Sequence, residues 1–598
     1  MTVTHPRSRV GSRGLFLRLW TIGVLLLSAP ELPPAAAQSQ ERLLHVPALS
    51  NGYNTLMSLG NIDIPRGSKP ACSPFGRVAS NDQRLTLSAG GTYFNDVIIL
   101  TGRPAEIQRV AREVLGETQP LNIRPLEYLG QFARNADSQQ KIDELLRYSQ
   151  QAVSLYQTGT LPGGGIRPAL DAIKAVLERS LELYLEGAIA TPVFAELNYV
   201  TGFPGVSGNP WSIGGSPWGV DANPWSIGGS PWSIGGSPIQ GTDAEKLALT
   251  QSIAEGAFWR QWAFQGRGIG LYEPTFQRSL PASADGSGTR VVLFDTAPYT
   301  TAGTHNETRQ RLSVNLCVHF VPLPGIDTEN DKTGYLRDHG LFGAGLTFAA
   351  APQTQLHLVR VLDDNAVGDL YSLAAGIDGS NQSLLPQNAG TLRRVVYNFS
   401  LGLKPIGAEL PVDIRTLLLD LVNAMPIDER PELVDGLPLT TLELPLRTAF
   451  NLGGVVIASA GNDSADLETP APQNIPAAYS FVLGVQSSNM AQRQSCYSNT
   501  GEVGAPGGDG GIAPDCKPQL ELCHADEACD YGLVSLVSVK SSTVGWAYWV
   551  GSSFAAPMVS GVAADALEAG VTYDKVIPQL EASAARTGVI DAQTATKP

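Results

Sequence analysis

Four side chains far apart in this chain are of the types that together carry out acyl transfer: Asp295, His339, Asn462 and Ser553. A serine hydroxyl is a weak nucleophile until a neighbouring base takes its proton, and imidazole titrates close to neutral pH. The imidazole in turn needs a carboxylate that fixes its tautomer and stabilises its cation. A side-chain amide and a backbone N–H can then hold the oxyanion of a tetrahedral intermediate, and one such donor is worth roughly 3–4 kcal/mol of barrier. A helix beginning at the serine adds the positive end of its dipole at the same place. Singly these residues say little, because Asp opens many turns and most histidines are structural.

What gives them weight is the elements they end or begin. Asp295 follows the apolar run Val291–Phe294, of the kind that fills a parallel sheet covered on both faces. Asn462 closes a similar run, Val455–Ala458, through Ser459-Ala460-Gly461. His339 lies in Arg337-Asp-His-Gly340, where an apolar, small-residue helix starts, and Ser553 lies in Gly551-Ser-Ser-Phe-Ala-Ala-Pro557 at the head of a helix rich in Ala and Val. Further strands are predicted at Leu356–Val361, Val395–Phe399 and Phe481–Val485. Helices are predicted at Gly340–Ala350, Asp369–Ala375, Thr416–Ala424, Leu446–Leu452 and Phe554–Leu567. Alternation of this kind predicts an α/β fold, a mostly parallel sheet flanked by helices, with the site at the carboxyl ends of its strands.

Over residues 243–598 the chain resembles the subtilisin-like (subtilase) family of serine peptidases, whose chain order is Asp, His, Ser. Five blocks carry the resemblance in that order: Val291–Thr296, Asp338–Gly345, Asn398–Gly402, Val455–Asn462 and Gly551–Gly561. The last makes Ser553, not Ser552, the nucleophile. The resemblance implies a serine endopeptidase with Asp295, His339 and Ser553 as its triad and Asn462 in the oxyanion hole. It implies that Ser400, Leu401 and Gly402 pair with the substrate backbone as an added strand. Ser459, Ala460 and Gly461 would line the main side-chain pocket, their small size leaving space for an apolar group. The chain departs from the family pattern at Ala297-Pro298, where Gly is common, and at Leu341 and Phe342, where the family carries Thr and a second His. Insertions around Pro405–Pro445 and Gly510–Val544 are expected near the cleft. The mechanism requires no cofactor. Structural calcium is common in the family, but no ligand loop can be assigned here, and no metal ligand is named.

Upstream, Arg7, Arg9, Arg13 and Arg18 precede the apolar run Trp20–Ala29 and the small-residue site Ala35-Ala36-Ala37. That order predicts a secretory signal peptide over 1–37, leaving no membrane attachment after its removal. Residues 38–94 carry weak signals and stay unassigned. Between 95 and 201, predicted strands at Asp96–Leu100, Leu121–Leu129 and Pro192–Val200 alternate with helices at Ala105–Leu115, Gln139–Tyr156 and Ala169–Leu185, a small α+β unit. Pro192–Tyr199 resembles the last strand of a subtilase propeptide, which implies a zymogen whose own propeptide is an intramolecular inhibitor. From 202 to 242 the motif Pro210–Ser216 recurs as Pro224–Ser230 and Pro231–Ser237, too rich in Pro and Gly for a helix. It reads as an extended linker, or as a display of Trp211, Trp218, Trp225 and Trp232 toward a sugar or a partner.

Composition narrows the partners. The 598 residues carry a net charge of −15, from 41 Lys+Arg against 56 Asp+Glu, which gives no general attraction to nucleic acid. Protein or peptide substrates fit better. The cysteines are Cys72, Cys317, Cys496, Cys516, Cys523 and Cys529, and the cluster from Cys516 to Cys529 favours a local disulfide over zinc because it lacks paired CxxC spacing. His305, His319, His357 and His524 show no ligand spacing and read as structural or surface residues. The competing function is a catalytically inactive binding or surface protein on the same fold, against which all four filled positions argue. An α/β-hydrolase esterase needs GxSxG, which Gly551-Ser-Ser-Phe-Ala does not supply.

Overall fold

The computed structural model describes residues 85–88, 91–201 and 258–597, apart from short internal stretches and the longer ones 297–312, 316–338 and 509–531. The leader over 1–37, the repeats over 202–242 and all cysteines but Cys496 lie outside the described residues, as do His305, His319 and His524. Cys496 is disulfide-bonded.

Strand β1 (Leu85–Ser88) pairs antiparallel with the start of β2 (Gly91–Gly102), so the first sheet begins ahead of residue 95. Val97 to Leu100 of β2 are buried on both faces. Flanking it are β3 (Asn122–Pro125), β4 (Ala152–Gln157) and β5 (Phe194–Thr201), in the antiparallel order β3-β4-β2-β5. The helices of this unit are α1 (Pro104–Val114), α2 (Gln139–Tyr148) and α3 (Ala169–Leu185). Pro104 starts α1, where its missing N–H costs nothing. In α3, Ala169, Ala172, Ile173, Val176, Leu177 and Ser180 recur at three- and four-residue spacing and form its buried face. The predicted helix over Gln139–Tyr156 ends early, at Tyr148, and its tail is strand β4. Ala152 to Tyr156 are all buried there, which a strand paired on both sides requires and an amphipathic helix does not.

Further along come β6 (Arg290–Asp295), β7 (Ser313–Asn315), β8 (Gln355–Arg360), β9 (Gly368–Asp369), β10 (Val395–Phe399), β11 (Leu433–Val434) and β12 (Leu437–Pro438). They are followed by β13 (Val455–Ser459), β14 (Leu483–Ser488), β15 (Val503–Pro506), β16 (Leu533–Lys540) and β17 (Thr543–Trp549). Seven of these make a wholly parallel sheet in the order β15-β14-β13-β10-β6-β8-β7. The α/β reading of the sequence is therefore what the chain adopts. After β6 the chain adds β8 on one side and then β10 on the other, so the strand order reverses at β6. Such a switch point leaves a crevice at the carboxyl ends of the strands.

The helices around this sheet are α4 (His339–Ala350), α5 (Leu370–Gln387), α6 (Val412–Ala424), α7 (Thr440–Asn451), α8 (Ser552–Glu568) and α9 (Tyr573–Ala584). Every residue of α4 is buried, and α8 is buried from Ser552 to Leu567, so both lie inside the layers. α5 runs well past the predicted end at Ala375. The two insertions pack on different parts of the molecule. In the first, α6 packs on α3 of the first sheet, and Lys174 Nζ meets Asp413 at 2.6 Å. The end of the 510–544 segment is the antiparallel hairpin β16–β17, which packs on α4, with Ser535 Oγ donating to the Phe342 carbonyl at 2.7 Å.

The antiparallel unit sits against the α5 and α7 side of the second. Val200 and Thr201 of β5 pair with β9. Glu196 and Asn198, two apart and hence on one face of β5, reach the N-termini of two helices. Glu196 accepts from Thr440 Oγ1 at 2.6 Å and Thr441 N–H at 3.0 Å at the start of α7, and Asn198 Oδ1 accepts from Tyr371 N–H at 3.1 Å at the start of α5. Deeper in the seam, Asp378 accepts from Arg124 Nη2 at 2.8 Å, Arg124 Nε at 3.0 Å and Tyr128 Oη at 2.7 Å. Nearby, Glu443 lies 3.5 Å from Arg447, with Glu432 and Glu144 also facing it, and burial pushes its carboxyl up to about 7.

Two outcomes follow. Arg124→Met leaves the buried Asp378 charge uncompensated and should destabilise the full chain by about 3–5 kcal/mol in denaturant unfolding, most of which the double change Arg124→Met/Asp378→Leu should restore. For Glu443, the folded state holds a proton that the unfolded state has lost between its ordinary value and about 7. Its contribution to stability is therefore greatest at low pH and falls as pH rises across that window, by up to about 3 kcal/mol. Glu443→Gln should flatten that part of the stability–pH curve, and an unchanged slope would discard the assignment.

Candidate active site

Asp295 ends β6 at the switch point, and α4 begins at His339 across the crevice from it. Gly340 makes the approach possible. A Cβ there would come within 2.2 Å of the Thr296 carbonyl oxygen and 2.9 Å of Asp295 Cβ, so only glycine lets the helix start against the strand end. Thr296 Oγ1 accepts from Gly340 N–H at 3.0 Å and ties the two together. In this arrangement His339 Nδ1 lies 2.9 Å from both Asp295 oxygens, and Asp295 Oδ1 also accepts from Thr296 N–H at 2.6 Å. A carboxylate accepts, so Nδ1 carries the hydrogen and Nε2 presents its lone pair. Both side chains are essentially inaccessible, at 1% and 2% exposed. Nε2 is buried with no hydrogen-bond partner. A buried acceptor left unpaired costs about 1–3 kcal/mol, a cost that a reacting hydroxyl brought to it would relieve.

Ser553 sits in the first turn of α8, itself buried. The next residue, Phe554, packs on the imidazole with ring centroids 4.9 Å apart. No hydrogen bond closes between Nε2 and the serine hydroxyl; bonds of this kind often tighten only once substrate is present. Asn462 follows the strand end of β13. Its Oδ1 accepts from Ser552 N–H at 2.9 Å, which orients the amide, and its Nδ2 is buried with no partner. An amide held by its oxygen beside the start of α8 offers its N–H to an anion there. Asn398, at the end of β10, also joins the site: its Oδ1 accepts from Ser560 Oγ of α8 at 3.0 Å, and its Nδ2 donates to Ser400 Oγ at 2.9 Å.

Ser400, Leu401 and Gly402 extend β10 and are buried, and Leu403 exchanges two backbone hydrogen bonds with Ile475 at 2.7 and 2.8 Å. Ser459, Ala460 and Gly461 end β13, with Ala460 N–H donating to the Val485 carbonyl at 2.9 Å. Between the two segments lies Asn474, whose position nothing in the sequence marks. Trp549 is equally silent, and for Phe342 and Phe554 the sequence marks the position but not the packing. Phe342, which stands where the family carries a second His, packs on Phe554 at 4.5 Å and on Trp549 at 5.4 Å, and Trp549 meets the His339 ring edge-on at 5.1 Å. The catalytic candidate thus sits in an aromatic box, built by residues whose types alone suggest only core. His357, read as structural, is buried in β8, and burial pulls its imidazole down to about 4, so it stays neutral. Among the described residues, no three His, Cys, Asp or Glu side chains gather as metal ligands would, and no helix is long and apolar enough to cross a membrane.

The minor extracellular protease Epr of Bacillus subtilis (strain 168) is 30% identical over 160 residues, 26% of this chain and 18% of that protein. A thermophilic serine proteinase of Bacillus sp. (strain AK1) is 26% identical over 252 residues, 40% of this chain and 44% of its own length. The chain thus spans less than half the length of these curated relatives. Among solved structures, fervidolysin of Fervidobacterium pennivorans overlays with a TM-score of 0.46 at 15% identity, over 87% of this chain and 63% of that one. Proteases of Pseudoalteromonas arctica overlay at 0.38 and 23% identity, over 57% of this chain and 97% of theirs. Overlays this loose add nothing to the fold already described. The decisive match is to the family model described as the subtilase family, which covers residues 286–585, half of the chain and all four candidate positions. This chain belongs to the subtilase family.

Proposed function

We propose that this subtilase is a secreted serine endopeptidase, made as a zymogen, that cuts protein or peptide substrates through an acyl-enzyme on Ser553. The observation that carries the reading is the Asp295–His339 pair. Its two 2.9 Å contacts commit Nδ1 to the carboxylate and leave Nε2 buried and unpaired beside the helix that carries Ser553. Nε2 takes the Ser553 proton as the hydroxyl oxygen bonds to the substrate carbonyl carbon. The oxyanion is held by Asn462 Nδ2 and the Ser553 N–H at the head of α8. His339 then gives the proton to the leaving amine, and water, deprotonated by the same imidazole, releases the acyl group. No cofactor enters these steps.

The zymogen part rests on the docking of the first sheet. Its last strand, β5, ends in backbone pairing with β9 and caps the N-termini of α5 and α7, as a docked propeptide strand would. Secretion rests on the leader-like order of residues 1–37 and agrees with a disulfide at Cys496.

A fluorophosphonate probe should label the processed protein and fail to label Ser553→Ala. Asn462→Leu should lower kcat by about 10²–10³-fold, the loss typical for one oxyanion donor, with KM little changed. Absence of labelling in the processed wild type would favour the inactive binding protein. N-terminal sequencing of the secreted form should give a start between residues 202 and 290. A start at Gln38 would remove the zymogen from the account.

A further inference from the structure

Gly461, in the segment expected to line the substrate side-chain pocket, and Gly402, in the segment expected to pair with the substrate backbone, look at the same side chain. A Cβ built on Gly402 would lie 2.9 Å from Asn474 Cβ. A Cβ on Gly461 would lie 2.5 Å from Asn474 Nδ2 and 3.0 Å from its Cγ. Asn474 therefore fills the space that the glycines leave, in contact with both walls at once. It is not free to swing aside. Its N–H donates to the Ala460 carbonyl at 2.8 Å and its Nδ2 to Asp463 Oδ2 at 2.9 Å. Asp463 Oδ2 also accepts from Asn499 Nδ2 at 3.2 Å, and Asp463 N–H donates to Asn499 Oδ1 at 2.8 Å, so the carboxylate is itself fixed. Both Asn474 and Asn499 are buried.

We propose that Asn474, braced by Asp463 and Asn499, is a specificity-determining residue that shortens this pocket, so that the enzyme cuts after residues with small side chains (Gly, Ala or Ser) and disfavours aromatic ones. The inference rests on the peptidase reading above and goes beyond it by fixing the substrate class. A large apolar side chain would have to displace an amide bonded to Asp463, on a backbone pinned to Ala460, and would take one of the two amide donors from the Asp463 carboxylate. A small side chain displaces nothing. Differences of this kind between substrates that share a backbone amount to about 10–200-fold in kcat/KM.

The test uses the processed protein and two peptide substrates that differ only in Ala or Phe before the scissile bond. The expected wild-type result is kcat/KM at least tenfold higher for Ala. Asn474→Gly and Asn474→Ala should each move the Phe-to-Ala ratio upward by tenfold or more, and Asp463→Asn, which loosens the brace without removing the amide, should move it in the same direction by less. Equal rates on the two substrates in the wild type, a preference for Phe, or ratios untouched in both Asn474 variants would overturn the proposal. A fluorophosphonate that carries no peptide separates this outcome from the failure of the peptidase reading itself. If Ser553 is not labelled, calorimetric binding of the same two peptides to the intact protein decides the pocket: tighter binding of the Ala peptide sustains it, and equal or absent binding overturns it.

Discussion

A polar atom removed from water and given no partner is among the costlier things a fold can hold, and this site holds at least two, His339 Nε2 and Asn462 Nδ2. Both are unpaired because the other end of each group is committed. Nδ1 is taken by Asp295, and Oδ1 by the Ser552 N–H. Fixing one end of an imidazole or an amide fixes where the other points, so two neighbouring hydrogen bonds determine the direction of both unpaired ends. The parallel sheet keeps those committed partners still. Its strands are buried on both faces, and their carboxyl ends deliver Asp295, Asn398 and Asn462 within one crevice.

The antiparallel unit uses the same physical device from outside. Helix N-termini expose N–H groups that need acceptors. Here, side chains of β5 supply them for α5 and α7, while the insertion helix α6 grips α3 from the other side. Charge inside this seam is compensated unevenly. Asp378 has Arg124 and Tyr128, whereas Glu443 shares Arg447 with Glu432, and burial dominates its titration. The seam is thus a polar interface whose strength depends on protonation as well as packing.

Much of this was legible in the sequence, and the legible part has a common cause. Strands buried on both faces, such as Val291–Phe294 and Val395–Phe399, are written as unbroken apolar runs, and the residues ending them stand out because they are polar. Short blocks such as Gly551–Gly561 are local, so one stretch of chain contains everything needed to recognise them. What the sequence hid is whatever depends on distant partners. β4 reads as the end of a helix because Val153, Leu155 and Tyr156 suit either period until β2 and β3 flank them. The insertion at 412–424 gave a correct helix but not the surface it covers. Trp549 and Asn474 carry no signature at all, and Phe342 stands out only as a departure from the family pattern, because an aromatic or an amide acquires its role only from what it faces after folding.

Helix α4 has no polar stripe, since every residue from His339 to Ala350 is enclosed. Such a segment cannot rest on a half-built sheet with one side in water. Its cover is α8, which comes more than two hundred residues later, with Thr347 Oγ1 donating to the Pro557 carbonyl at 3.0 Å between them. On the ribosome, then, the imidazole has no fixed seat until the helix bearing the hydroxyl has emerged and docked. A chain that stops short of α8 therefore cannot set His339 and Ser553 side by side, whatever the rest of it has folded into.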